Sequence, residues 1–190
     1  MKILQMHRER MIVMKIHKSC QIVCLLLAAL MASALAGCVG GDVKSGISKR
    51  LSLDCSSAEI MQSYDSHGGF LGDGTSFYAL QFSDSSQAER ISTSGDWKPL
   101  PLTDTLKAVA WGEQDDEHDF APMIIKDNDW DHPLIPKVEN GYYFFLDRHS
   151  NATDPKDDSM LLDESRPSYN FTLAIYDTDS DILYYSQVDT

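Results

Sequence analysis

Residues 169–189, YNFTLAIYDTDSDILYYSQVD, place apolar side chains at every second position on both sides of a polar break. Phe171, Leu173 and Ile175 alternate with their neighbours, Asp177 to Asp181 has the composition of a turn, and Ile182 and Tyr184 resume the alternation. Successive side chains of a strand point to opposite faces, so period two interrupted by a turn predicts a β-hairpin with one buried face. That hairpin commits the chain to antiparallel pairing.

The preceding sequence supplies more strands. ENGYYFFLDRHS, residues 139–150, opens on the turn dipeptide Asn140-Gly141 and continues as an aromatic run suited to a central strand. Residues 56–84 hold HGGFLGDG, four glycines in eight residues, followed by the β-forming TSFYALQF. Ser56 and Glu59 have the spacing of a capping box, which would start a helix, but the loop and strand that follow favour two strands joined by a glycine-rich turn. Leu51 and Leu53 alternate in ISKRLSLD and predict a first strand there. SDSSQAERI, residues 83–91, predicts a short amphipathic helix. A second is expected at 104–111, with Thr103 as N-cap, Leu106, Val109 and Ala110 on one face and Gly112 as terminator, after the breakers Pro99 and Pro101. The acidic segment 113–131 reads as a long surface loop around one short edge strand at Met123–Ile125, and NATDPKDDSM as a polar connection. The expected fold class is α+β: an antiparallel sheet of about five strands with two short helices.

The first 21 residues carry Lys2, Arg8, Arg10, Lys15 and Lys18 against Glu9 alone, and an apolar run follows from Ile22 to Ala36. The run is short of the roughly 20 residues a spanning helix needs and ends in small side chains, the pattern of a cleaved signal. Met14 starts an equally well-formed signal, so translation from Met1 or Met14 gives the same product. The closing residues Leu35-Ala36-Gly37-Cys38 resemble the lipobox of bacterial lipoproteins. That resemblance implies a diacylglyceryl group on the Cys38 thiol, cleavage just before it, and residence on the extracytoplasmic face of the cell membrane. Two acyl chains, each buried methylene worth about 0.8 kcal/mol, hold a protein where one chain lets it go. The chain then divides into a signal, residues 1–37, a Gly-rich tether at 38–46 and a single domain at 47–190.

Removing residues 1–37 takes five bases and one acid from the 16 and 29 of the whole chain and leaves a charge near −17. Nucleic acid and anionic headgroups are repelled by such a surface, and cations are attracted. An envelope protein or a small molecule fits better as a partner. Cys20 and Cys24 leave with the signal and Cys38 is lipidated, so Cys55 has no internal disulfide partner. Beside Leu53 it reads as a small apolar core residue rather than a nucleophile.

Two Asp-x-His units stand out as sources of chemistry: Asp65-Ser66-His67 and Asp147-Arg148-His149. Residues two apart on a strand share a face, so each unit presents a carboxylate with an imidazole. On neighbouring strands the four would form a hard metal site, or a base and its orienter for a hydrolytic water, with Asp73 as a further carboxylate. His67, Asp73 and His149 are the candidate metal ligands. The plainer reading is that these residues cap strand ends and a glycine turn. HGGFLGDG lacks the Lys-Ser/Thr of a phosphate loop. Asp177, Asp179 and Asp181 begin like a calcium loop, but Ile182 and Val188 occupy the positions that require Gly and Glu, which leaves only weak exterior binding of Ca²⁺ or another divalent ion. Asn151 and Asn170 stand in sequons without meaning in a bacterial host.

YDSHGGFLGDGTSFYALQF, ENGYYFFLDRHS and YNFTLAIYDTDSDILYY together resemble segments of small exported proteins and lipoproteins of Gram-positive bacteria. The resemblance covers most of the mature chain and implies a recurring domain on the outer face of the membrane, with no catalytic residues to carry over. The functional expectation is a membrane-anchored binding or accessory domain; the alternative is a metal-dependent hydrolase using Asp65, His67, Asp147 and His149.

Overall fold

The computed structural model of the chain describes residues 38–68, 72–114, 119–126, 129, 132–149, 152–163 and 165–190. Residues 1–37, read from the sequence as a signal and including both candidate start sites and Leu35 to Gly37, lie outside the described residues. The chain divides into two units, Met1–Gly46 and Ile47–Thr190. Of the first only 38–46 is described, as the opening of a helix.

The hairpin expected at the end of the sequence is the centre of the fold. Strands β7 (Phe171–Asp177) and β8 (Ile182–Asp189) pair antiparallel with Asp177 opposite Ile182. The turn is built by its own acids: Asp177 accepts from the Asp179 N–H at 2.8 Å and the Ser180 hydroxyl at 2.8 Å, Asp181 accepts from the Tyr176 hydroxyl at 2.8 Å, and Asp179 from Asn140 at 2.8 Å. These carboxylates shape a turn.

Around the hairpin run β1 (Glu59–Asp65), β2 (Gly74–Gln81), the two-residue β3 (Lys98–Pro99) and β6 (Gly141–Asp147). The sheet has six strands in the order β1-β2-β8-β7-β6-β3, antiparallel at every pairing. Gly141 is required by its neighbour, since a Cβ there would lie 1.9 Å from the Tyr176 carbonyl oxygen. Pro99, read as a breaker, instead sits on the outermost strand, where a missing N–H is tolerated.

The described residues also form three helices: α1 (Cys38–Leu51), α2 (Ser86–Thr93) and α3 (Asp104–Trp111). The last has the expected ends. Thr103 Oγ1 accepts from the Leu106 N–H at 3.2 Å, and Gly112, at φ 79°, donates to the Ala108 carbonyl at 2.8 Å. The first is a correction. ISKRLSLD does not open a strand; its start continues the helix through Leu51, because Ile47 and Leu51, four apart, are both buried on one helical face. Among the described residues the sheet has six strands where about five were expected, with the unforeseen β3 among them, and α1 makes three helices where two were expected.

Met123–Ile125 is also not an edge strand. Ile124 is fully buried, Ile125 makes one isolated bridge to Pro133, and the acidic segment forms a small ribbon of β4 (Glu113–Gln114) and β5 (Asp119–Phe120). The core on one sheet face joins Phe77, Phe145, Leu173 and Val188 to Leu106 and Val109 of α3 and to Ile124. Register assigns Leu80, Phe144, Ala174 and Tyr185 to the opposite face, which is buried too. Fully buried Cys55 has no part in any disulfide and sits among the core residues, as expected of a small apolar side chain.

Candidate functional site

The two Asp-x-His units and Asp73 stand at one end of the sheet, where β1, β6 and β8 finish and β2 and β7 begin, whereas Asp177, Asp179 and Asp181 form the turn at the other end. They do not form one site. Counting outward through the register, Asp65 lies opposite Ser76, Ser76 opposite Gln187, Gln187 opposite Thr172 and Thr172 opposite Leu146. Asp147 belongs to the next row, with Phe171, Val188 and Thr75. Directly opposed residues share a face and adjacent rows point to opposite ones, so the two aspartates project from opposite sides of the sheet. Three strands, β2, β8 and β7, separate β1 from β6. Among the described residues no group of three or more His, Cys, Asp or Glu is arranged to hold a metal ion.

The first unit is tied into the sheet through a residue that no local motif marks. His67 Nδ1 lies 2.7 Å from Asp65 Oδ1, and Nε2 lies 3.1 Å from Asp189 Oδ2 at the end of β8. Carboxylate oxygens face both ring nitrogens, and satisfying both requires two N–H donors, the imidazolium form. Burial of the ring opposes its charge, but the two carboxylates outweigh it and raise the His67 pKa. The glycines serve this closure. Gly74 brings the returning backbone against His67, where a Cβ would sit 2.7 Å from the His67 nitrogen.

Asp189 Oδ1 accepts from Arg148 Nη1 at 2.7 Å, and Arg148 Nη2 donates to the carbonyls of Phe171 at 3.0 Å and Val188 at 2.9 Å. Burial raises the Asp189 carboxyl, but Arg148 and His67 together hold it below the ordinary range. The spacer residue of the second Asp-x-His unit is thus the one that reaches the first unit.

Asp147 has a different partner. It is almost fully buried and takes a two-pronged bond from Arg166, with Nη1 to Oδ2 at 2.6 Å and Nη2 to Oδ1 at 2.9 Å, plus the His149 N–H at 2.9 Å. Burial works against its charge, and Arg166 overcomes this and lowers its pKa. His149 lines a small cavity of ≈ 280 Å³ with Asp147, Asp154, Asp157 and Asp163.

Among the described residues Asp73 has no bond to either unit but shares a cavity of ≈ 650 Å³ with Ser66 and Asp189, together with Tyr64, Pro122, Met123, Ile125 and Val188. Sequence reasoning identified Asp73 and missed Asp189, Arg148 and Arg166, whose partners are distant in the chain. Compared with known proteins, the chain matches no family model, no curated protein and no solved structure.

Proposed function

We propose that the protein is a lipoprotein anchored by a diacylglyceryl group on Cys38 to the extracytoplasmic face of the cell membrane, and that residues 47–190 act there as a binding or accessory domain. The observation that carries the anchor is Leu35-Ala36-Gly37-Cys38 closing a cationic and then apolar leader. Among the described residues no helix is long and apolar enough to cross a membrane, and the proposed anchor needs none. A binding role is favoured over metal-dependent hydrolysis because the carboxylates of the paired units are engaged within the fold, Asp147 by Arg166 and Asp65 by His67, while Arg148 and the other ring nitrogen of His67 hold Asp189. Groups held in that way brace a fold. The test is metabolic labelling with radioactive palmitate: the wild-type chain takes up label and is shortened at Cys38, and Cys38→Ala does neither. Continued labelling of the variant would overturn the anchor.

A further inference from the structure

Within the reading as a binding domain, on which this step rests, the cavity beside Asp73 has a defined chemistry. Its volume, ≈ 650 Å³, suits a small molecule. Tyr64, Pro122, Met123, Ile125 and Val188 give it apolar walls, and among the described residues Asp73 and Asp189 are the two carboxylate side chains that line it, with no Lys, Arg or His.

The two acids are not equivalent. Asp189 has one oxygen on Arg148 and the other on His67, so its charge is matched from behind. Asp73 has neither an ion pair nor a hydrogen-bond partner among the described residues. The cavity therefore joins an apolar surface to one unmatched negative charge. Two other cavities among the described residues lack this combination. The one beside Trp111 sets Lys107 and Lys137 against Asp104 and Glu139, and the one beside His149 holds several acids against Arg166.

We propose that this cavity binds a small organic cation, with an ammonium group paired to Asp73 and an apolar body against Tyr64, Pro122 and Met123. An anion is repelled by Asp73 and by the acidity of the whole chain, net −13, and a neutral apolar molecule gains the walls but not the charge. A hard divalent ion needs six to eight oxygens, more than Asp73, Ser66 and Thr75 supply when both oxygens of Asp189 are engaged by Arg148 and His67.

The test is calorimetric titration of the full chain, held in zwitterionic detergent, with benzylammonium, benzyl alcohol and benzoate. Benzylammonium binds one to one, benzyl alcohol about five- to tenfold more weakly, and benzoate not measurably. Asp73→Asn weakens benzylammonium by a similar factor, whereas Glu59→Gln, which removes the same charge from exposed β1, leaves it unchanged. Equal binding of alcohol and ammonium, an Asp73→Asn chain that binds like wild type, an equal loss in Glu59→Gln, or no binding at millimolar ligand each overturns the inference. Saturable binding of benzyl alcohol alone would remove the cation while leaving a binding domain. Loss of palmitate labelling removes the anchor without touching the cavity.

Discussion

Asp65-Ser66-His67 and Asp147-Arg148-His149 have the same spacing and stand at the same end of the same sheet, yet the fold uses them in opposite ways. The first sits on an edge strand, leaves Asp65 in solvent, and employs its histidine to join the strand end to β8. The second buries its aspartate, engages it with an arginine 19 residues on, and sends its middle residue to the opposite face. One row of register separates them. A tripeptide pattern states which side chains share a strand face but not which face, and that parity decides whether two such patterns converge.

The comparison can be broken first at its buried half. Arg166→Ala leaves the Asp147 carboxylate interred without its cation and costs about 3–5 kcal/mol, read as a fall in the urea midpoint at constant slope. A loss below about 1 kcal/mol would mean that the pair is screened by water. Arg148→Ala strips donors from Asp189 and from the Phe171 and Val188 carbonyls and costs about 2–3 kcal/mol in the same measurement.

Acidity separates the two halves further. The Asp147 pKa is lowered on folding, so its contribution is present above the unfolded value near 3.9 and is lost as pH falls through the folded one. Asp147→Asn should flatten the acid limb of a stability–pH curve below about pH 4. His67 has the reverse sign. Its pKa is raised, so its contribution is complete below the unfolded value of about 6.5 and is lost as pH rises through the folded one. Replacing His67 by Ala therefore costs about 0.5–1 kcal/mol at pH 5.5 and close to nothing at pH 9, the smallest effect of the set. Equal losses at both pH values would show that the imidazole stabilises by packing alone.

The sequence was most legible where physics is local. Period two predicted β7 and β8, and a threonine followed nine residues later by a glycine bracketed α3 correctly. It misled at Leu51 and Leu53, where a two-residue alternation competed with the Ile47–Leu51 spacing of a helix; both are buried, and the helical signal was the one used. It misled also at Met123–Ile125, read as a short edge strand in a surface loop, where Ile124 is instead fully buried and Ile125 makes only an isolated bridge, because short apolar runs carry no period. At the candidate site the aspartates and histidines were visible and their partners were not. Asp189 meets His67 across 122 residues, a pairing set by the order of strands rather than by any neighbouring letter.

That order has a consequence for how the molecule is made. β8, the final strand along the described chain, inserts between β2 and β7 in the interior of the sheet. Until residues 182–189 emerge from a ribosome or a translocation pore, β2 has no inner neighbour and the two halves of the sheet stay apart. Pairings such as Thr75 with Val188 close very long loops, which slows folding relative to local contacts. Residues 182–189 thereby act as the keystone of the sheet.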